Sequence, residues 1–301
     1  MSSERPKLSV VIAAAQHSWE ELHDCIDRLA PQLQPTGTEL IVGVAHRSEV
    51  PAQLERDFPG VHWIRLPGAS VFVLRNHGVL AAAAPIVAFT EDHCLVAPDW
   101  CQRIIDSHRA HPDAAAIGGS VANGPTESLF DWANYLVVFC PFLPPVATGA
   151  ATQISLQANC SYKRDALPNT LLPNGIIEFH LNRQLVRQGR KLFSDGSISV
   201  EHVQTHGQFG TFVAHFHNGR SIATGRMGTL NPLGRTMRII SCIILPAHLF
   251  LYVARHVAPK RRFWGRYITA LPLIAGITVA HAAGEFCGYV FGPGASMEAI
   301  H

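Results

Sequence analysis

The sequence is poor in charged residues, which make up 15% of its 301 positions, whereas roughly a quarter is usual for a soluble domain. The charges that are present nearly cancel, since 24 basic and 22 acidic side chains leave a formal net charge of +2. A dedicated nucleic-acid-binding domain carries a strong basic excess, so binding to nucleic acid is not expected. The low charge and the 48% of hydrophobic residues instead suggest contact with a membrane.

Paired cysteines, repeats and a signal-peptide pattern are also lacking. The seven cysteines contain no CxxC pair, so their spacing indicates neither a zinc knuckle nor a disulfide framework, and their odd number fits a reducing compartment. Residues 1–7 are polar and lead into a short apolar run rather than the long apolar core of a signal peptide. We therefore expect any catalytic part to stay in the cytoplasm.

Strand-like runs rich in Val and Ile alternate with helical patterns along the first hundred residues. Ser18 and Glu21 form a capping-box pattern at the start of the first of these helices. This alternation predicts a mostly parallel α/β sheet covered by helices. The predicted strands cover residues 8–15, 38–44, 61–66 and 85–90, and a helix is predicted over residues 75–84.

In a sheet of this kind, ligands bind beyond the carboxyl ends of the strands. Gln16 follows the first predicted strand, and His46 follows the second. Glu91, Asp92 and His93 follow the fourth, and in an extended segment Glu91 and His93 share a face. Carboxylates and an imidazole can hold a divalent cation, which would neutralise a diphosphate leaving group. The alternative is an acidic loop that only caps a helix.

The middle of the chain changes character near residue 120. Four prolines interrupt an aromatic stretch, so they predict a loop over residues 120–151 rather than a helix. Residues 152–165 resume a strand-like alternation. Residues 178–189 show an amphipathic helical pattern that ends at a glycine, a common residue at helix C-termini.

Two apolar segments lie near the end of the chain, at residues 239–254 and 268–291. Spanning a bilayer takes about 20 apolar residues, so the first is short and the second is just long enough. Basic residues precede each segment, and a simple spanning hairpin would place one basic cluster outside, against the positive-inside tendency. We expect a re-entrant or interfacial hairpin in a membrane-associated part, residues 226–301, behind a catalytic domain of residues 1–225. A pair of core helices is the alternative.

Three stretches of the first 190 residues carry a family resemblance. They are KLSVVIAAAQHSWEELHDCIDRL, TELIVGV and GASVFVLRNHGVLAAAAPIVAFTEDHCLVAPDW. In order and spacing they resemble the first strand and helix, the second strand and the central stretch of a family 2 glycosyltransferase. The resemblance covers about two-thirds of the chain. It implies a GT-A fold and a nucleotide-diphosphate sugar as the donor.

Carried over residue by residue, the resemblance assigns roles to the strand-end residues. Glu91, Asp92 and His93 occupy the position of the DxD-type motif, which implies binding of a divalent cation, Mn²⁺ or Mg²⁺, and of the sugar nucleotide. Arg75 matches the basic residue that faces the diphosphate; a surface arginine is the alternative. The two usual aspartates are replaced by Glu91 and His93, which leaves metal dependence open.

Further departures concern the base-binding and acidic positions. No aspartate follows the second strand, so recognition of the nucleotide base falls to backbone groups, His46 or Gln16. Glu178 matches the second acid before the amphipathic helix, which is the general base of the family, whereas Ile177 replaces the first acid. Inverting transfer needs a carboxylate close to the acceptor hydroxyl. The alternative is a glutamate favoured by the helix macrodipole.

Histidines recur after this helix and form a loose cluster. A neutral imidazole is a good ligand for transition metals, and His202 is the candidate that would complete a site begun at Glu91 and His93. The chain holds 17 histidines, so chance clustering is the alternative. The cluster consists of His202, His206, His215 and His217.

These patterns predict an inverting glycosyltransferase at the cytoplasmic face of a membrane, acting on a hydroxyl of a lipid or lipid-linked acceptor. The aromatic segment at residues 130–145 would lie over the active site and lead an amphiphile into it. One alternative is a catalytically silent binding module that keeps the fold at the membrane. Another is a transferase that extends a polysaccharide. An oligomer is possible, since an apolar helical tail can pair with a second copy.

Overall fold

The chain divides into two compact units. The first comprises residues 1–124 and 142–203, and the second comprises residues 125–141 and 204–301. The boundary predicted between residues 225 and 226 stays a prediction. The computed structural model describes residues 5–15, 18–46, 49–204, 207–228, 230–294 and 296.

The described residues form nine strands and ten α-helices. The strands are β1 Leu8–Ala14, β2 Thr38–Val44, β3 Val61–Arg65, β4 Ile86–Glu91, β5 Cys94–Val96, β6 Ala114–Asn123, β7 Gly149–Ala151, β8 Cys160–Lys163 and β9 Lys191–His202. The helices are α1 Trp19–Thr36, α2 Ala52–Asp57, α3 Val71–Ala81, α4 Trp100–Ala110, α5 Leu129–Phe139, α6 Glu178–Arg187, α7 Gln208–Met227, α8 Pro232–Ser241, α9 Leu245–Val257 and α10 Trp264–Phe291.

The first unit is built on one mixed sheet with the strand order β3-β2-β1-β4-β8-β6-β9-β5, in which β7 also pairs with β9. The predicted parallel pairing is confirmed for the first four strands, because β1 runs parallel to β2 and β4, and β2 to β3. Strands β5, β7 and β8 run antiparallel to their neighbours. The four predicted strands end within one residue of the observed ones.

Local signals fix where two helices of the first unit begin. The predicted capping box is present, since Ser18 Oγ accepts from the Glu21 amide and the Glu21 carboxylate accepts from the Ser18 amide. Helix α3 starts earlier than the predicted residue 75, because Ser70 Oγ accepts from the Val73 amide and caps its first turn.

Two predictions for the middle of the chain are wrong. Helix α5 replaces part of the loop predicted over residues 120–151, because Pro125 and Pro141 flank this helix instead of interrupting it, and Ser128 caps it. Of the strand predicted over residues 152–165, only β8 forms. The residues before β8 bond through side chains, since Ser155 Oγ accepts from the Gly119 amide and Asn159 Nδ2 donates to a carbonyl of β6.

In the second unit, α7 and α10 pack at very short distance through glycines. A Cβ atom at Gly284 would lie 1.9 Å from the carbonyl oxygen of Phe216, and one at Gly219 would lie 2.1 Å from that of His281. No side chain larger than hydrogen fits these two positions while the helices keep this distance. The sequence therefore needs glycine at both contacts.

Gly284→Ala is expected to lower the free energy of unfolding by about 1–3 kcal/mol, because the added methyl group forces α7 and α10 apart. Gly265→Ala in the same helix is the matched control, since among the described residues no atom beyond the glycine's own turn of helix lies within 4 Å of a Cβ built there. Thermal unfolding in detergent compares the two variants with the wild type. A Gly284→Ala midpoint equal to that of the wild type would contradict the close packing.

The two apolar segments predicted near the end of the chain lie in α8 to α10. Helices α8 and α9 are bent by 65° at the break between them, so they do not form one straight helix. Arg261–Phe291, which is α10 with the turn before it, is long and apolar enough to cross a membrane by length and composition.

Candidate active site

A buried arginine links two carboxylates in the first unit. Arg75 Nε lies 3.1 Å from Glu178 Oε1, and Arg75 Nη2 lies 3.7 Å from Glu91 Oε1. The side chains of Arg75 and Glu178 are each 2% exposed, so water screens their attraction weakly. These three residues, which are far apart in the sequence, therefore form one cluster of charges.

Helix α3 positions both partners of the Arg75–Glu178 ion pair. It carries Arg75 on its buried face, and its Phe72 carbonyl accepts a hydrogen bond from the amide of Ile176, just before Glu178. Gly175 makes this approach possible, because it has a φ of +68° and a Cβ there would lie 2.1 Å from the Phe72 carbonyl group. The loop that presents Glu178 is thus anchored to α3.

Three potential metal ligands converge beside this pair. One ligand atom each from Glu91, His93 and His202 lies within 4.8 Å of the others. The two Nε2 atoms are 2.9 Å apart, and Glu91 Oε2 lies 3.4 Å from His202 Nε2 and 4.0 Å from His93 Nε2. The antiparallel register of β5 and β9 brings them together, because it pairs Cys94 with His202.

Asp92 orients the imidazole ring of His93. Its Oδ1 atom lies 2.8 Å from His93 Nδ1, and a proton between them would leave the Nε2 lone pair directed at His202 and Glu91. Burial acts to lower the pKa of His93, but the hydrogen bond with Asp92 and the charge of Glu91 raise it above the ordinary value. Burial acts to raise the pKa of Glu91, but His202 and His93 lower it to about 2.

This group of side chains fits a divalent cation. Glu91 Oε2 is buried and accepts no well-aligned hydrogen bond from the part of the chain that the structure describes. An ion about 2.1 Å from each ligand would hold neighbouring ligand atoms about 3.0–3.4 Å apart, and the three observed separations are 2.9, 3.4 and 4.0 Å. Two imidazoles and one carboxylate suit a transition metal better than Mg²⁺, which prefers oxygen ligands, and they leave coordination positions open.

Comparison with known proteins identifies the family. The sequence profile described as glycosyl transferase family 2 matches residues 9–169, which is more than half of the 301 residues. The chain belongs to glycosyl transferase family 2. The transferase is 26% identical over 121 residues to a glucosyl-dolichyl phosphate glucuronosyltransferase of Haloferax volcanii, and the match covers 38% of each protein. The chain thus spans about two-fifths of the length of that curated relative.

A solved structure confirms the predicted GT-A fold. The mannosyltransferase of Pyrobaculum calidifontis, in complex with GDP-Man and Mn²⁺, superposes with a TM-score of 0.61. The superposition covers 96% of the transferase and 88% of the mannosyltransferase at 13% sequence identity. At this identity the likeness establishes the fold alone.

The environment of Glu178 in the transferase sets its proton affinity. Burial raises the pKa of Glu178 above the ordinary value, and the charge of Arg75 offsets only part of this rise. Glu178 is also the first residue of α6, where the helix macrodipole favours the ionised form. A carboxylate whose pKa is raised towards the working pH is well suited to accept a proton.

A pH–rate profile tests this environment. With Glu178 as the general base that the family resemblance implies, we expect kcat to fall on the acid side with an apparent pKa above about 4.3, the ordinary value for glutamate, because the protonated carboxyl accepts no proton. Initial rates between about pH 4 and pH 8 locate this limb of the profile. An acid limb at or below the ordinary glutamate value would contradict the effect of burial.

The remaining predicted donor-binding residues are placed as follows. Arg75, expected to face the diphosphate, contacts the two glutamates, and Asp92 contacts its neighbouring histidine. The ring of His46, after β2, stacks on Trp19 with 4.3 Å between the ring centroids. Gln16 lies outside the described residues. The donor-binding roles of all four residues stay predictions.

The loose histidine cluster does not form one site. His202 joins Glu91 and His93 in the first unit. In the second unit, His215 Nε2 lies 2.8 Å from Asn134 Oδ1, and the His217 ring bonds to a serine hydroxyl. His206 lies outside the described residues. The sequence analysis did not predict the hydrogen bond between Asp92 and His93. The adjacency of a carboxylate and an imidazole in the sequence could have indicated it.

Proposed function

We propose that this transferase is an inverting enzyme that moves a sugar from a nucleotide-diphosphate donor to a hydroxyl of a lipid or lipid-linked acceptor. The observation that carries the proposal is the buried cluster in which Arg75 joins Glu178 to Glu91. It brings a candidate general base to a candidate metal site within one unit of the fold. Sugar transfer from a nucleotide diphosphate needs both functions, a base for the acceptor and positive charge for the leaving group.

Glu178 acts as the base in this proposal. Its carboxylate accepts the proton of the acceptor hydroxyl as the hydroxyl oxygen attacks the anomeric carbon of the sugar. The attack comes from the side opposite to the departing diphosphate, so the configuration at that carbon inverts. Arg75 holds the carboxylate in place and keeps part of its charge balanced until the proton arrives.

Glu91, His93 and His202 would hold the divalent cation. When bound, the cation supplies positive charge to the departing diphosphate. Asp92 keeps the His93 ring in the orientation that directs Nε2 at this position. The donor set favours Mn²⁺ over Mg²⁺, in keeping with the Mn²⁺ bound by the mannosyltransferase of similar fold. In this proposal Arg75, whose guanidinium reaches Glu91, also bonds a phosphate oxygen of the donor.

Two observations support a lipid acceptor and action at a membrane. The glucuronosyltransferase relative is named for a glucosyl-dolichyl phosphate. Arg261–Phe291 is long and apolar enough to cross a bilayer. We place the enzyme at the cytoplasmic face, because basic residues concentrate between α9 and α10 and such residues are enriched on that side.

The configuration of the product tests the inverting mechanism. Purified protein in detergent is incubated with Mn²⁺ and α-linked nucleotide sugars, GDP-mannose among them, and proton NMR follows the sugar formed in the first minutes. We expect the β-anomer to appear first. An α-anomer as the first product would contradict direct displacement by an oxygen that Glu178 deprotonates.

A further inference from the structure

Helix α8 and the turn after it present their apolar side chains outwards. Leu233, Met237, Ile240 and Ile244 recur at the spacing that places residues on one face of a helix. Their exposed fractions lie between 54% and 72%. No residue of α8 itself is buried. The outer surface of this segment is therefore a continuous apolar stripe.

The opposite face of the same segment attaches it to the second unit. Ile239 and Cys242 pack beside Ala223 and Tyr289. Arg235 donates from Nε to the carbonyl oxygen of Tyr289. The segment is thus fixed with its apolar stripe outwards, so the exposure of the stripe follows from the packing of the helix.

The stretch of sequence that contains the stripe carries charged residues of positive sign only. Residues 226–284 contain no acidic residue. Arg235 and Arg238 lie on α8 itself, and Arg238 is exposed. Basic side chains beside an exposed apolar face are typical of helices that lie at the boundary between lipid head groups and acyl chains. Arg226 pairs with Glu285, and the remaining basic residues of the stretch lie near the start of α10, at the end away from Tyr289: Arg255, Lys260, Arg261, Arg262 and Arg266.

We infer that residues 233–244 form an in-plane membrane anchor, whose apolar stripe enters the head-group boundary of a bilayer that contains anionic lipids. An apolar face flanked by basic side chains binds such a surface through both area and charge. A second copy of the chain would bring the same positive charge to the stripe and be repelled. The 65° bend between α8 and α9 keeps this segment from continuing as one straight span.

This inference rests on the membrane action in the proposed function. It can be wrong while the proposed transfer reaction is right, because vesicle binding is measured with no donor present. The full chain is labelled with the environment-sensitive dye NBD at single introduced cysteines, Leu233→Cys or Ile244→Cys. Labelled wild type corrects for the native cysteines. Gln53→Cys, an exposed position of the first unit, is the control.

Vesicles of phosphatidylcholine and phosphatidylglycerol at a ratio of about 7:3 carry nitroxide quenchers at known depths. For a helix lying in the interface plane we expect both stripe positions to be quenched at similar shallow depths, about 5–10 Å below the head groups. The control position stays unquenched. A depth difference of about 16 Å between the two stripe positions, the rise of a spanning helix, would overturn the inference. Unquenched stripe positions would overturn it as well.

Binding strength tests the two parts of the surface separately. Arg238→Gln is expected to weaken binding to the anionic vesicles about fivefold and to leave binding to pure phosphatidylcholine unchanged. Combined serine substitutions at Leu233, Met237 and Ile240 are expected to weaken binding about tenfold or more. Leu171→Ser, at an exposed leucine of the first unit, is the matched control. Unchanged binding of the triple variant, with its circular dichroism intact, would overturn the inference.

Discussion

Glu178→Gln is expected to lower kcat by about 10²–10⁴-fold, the usual contribution of a general base. The amide has nearly the same shape as the carboxylate but accepts no proton from the acceptor hydroxyl. It retains an oxygen for Arg75, so the buried cluster keeps a partner on that side. Initial rates of transfer or of slow donor hydrolysis measure the effect, with circular dichroism and thermal unfolding to show that the fold is retained.

Two further variants make this result specific. Glu201→Gln removes an exposed carboxylate of β9 and should leave kcat unchanged. Glu178→Asp keeps a carboxylate but withdraws it from the acceptor, so it should retain more activity than Glu178→Gln. If Glu178→Gln keeps its rate within a factor of about three while it folds normally, another group acts as the base.

His202→Ala is expected to weaken Mn²⁺ binding by about tenfold or more, because it removes one of three converging ligands. Loss of an outer-shell partner alone costs about 10–100-fold in metal affinity. Titration of Mn²⁺ by electron paramagnetic resonance measures affinity without reference to activity. A chelator should remove the activity of the wild type, and Mn²⁺ should restore it more fully than Mg²⁺.

The control for this variant is His62→Ala, which removes an exposed histidine of β3. It should leave both Mn²⁺ affinity and kcat unchanged. If His202→Ala binds Mn²⁺ as tightly as the wild type, the ion does not use the ligands that β4 and β9 bring together. The transferase would then stabilise its leaving group through Arg75 without a metal at this position.

Predictions from the sequence succeed where the signal is local. The capping box at Ser18 and the Val- and Ile-rich strands depend on neighbours within a few residues, and both form as predicted. The resemblance to the family gave the fold for the same reason, since its motifs are contiguous stretches. The loop prediction was wrong because a proline interrupts a helix only from inside it, whereas Pro141 follows the end of α5.

The site depends on contacts that no local pattern encodes. His202 approaches His93 only because β9 pairs with β5 in one register, and a shift of one residue would turn its side chain to the other face. The Arg75–Glu178 pair joins positions 103 residues apart. From the sequence, Arg75 is expected to face the diphosphate, and the sequence does not predict that it is buried between two carboxylates.

The departures from the usual family pattern raise the alternative of a catalytically silent binding module. The residues at the DxD-type position nevertheless keep chemical capacity, since Glu91 and His93 converge with a third potential ligand atom. Glu178 is buried beside the same group. These retained groups favour an active transferase over a silent module, although Ile177 and the missing aspartate after β2 leave two altered positions without an acid.

The most direct measurement is the turnover of a panel of nucleotide-diphosphate sugars by purified protein in detergent, with and without Mn²⁺. The Glu178→Gln variant is assayed beside the wild type. We predict slow hydrolysis of one donor in the presence of Mn²⁺, and its loss in the variant with donor binding retained. Binding of no donor, or equal hydrolysis by both proteins, would contradict the assignment of this cluster as the active site of an inverting glycosyltransferase.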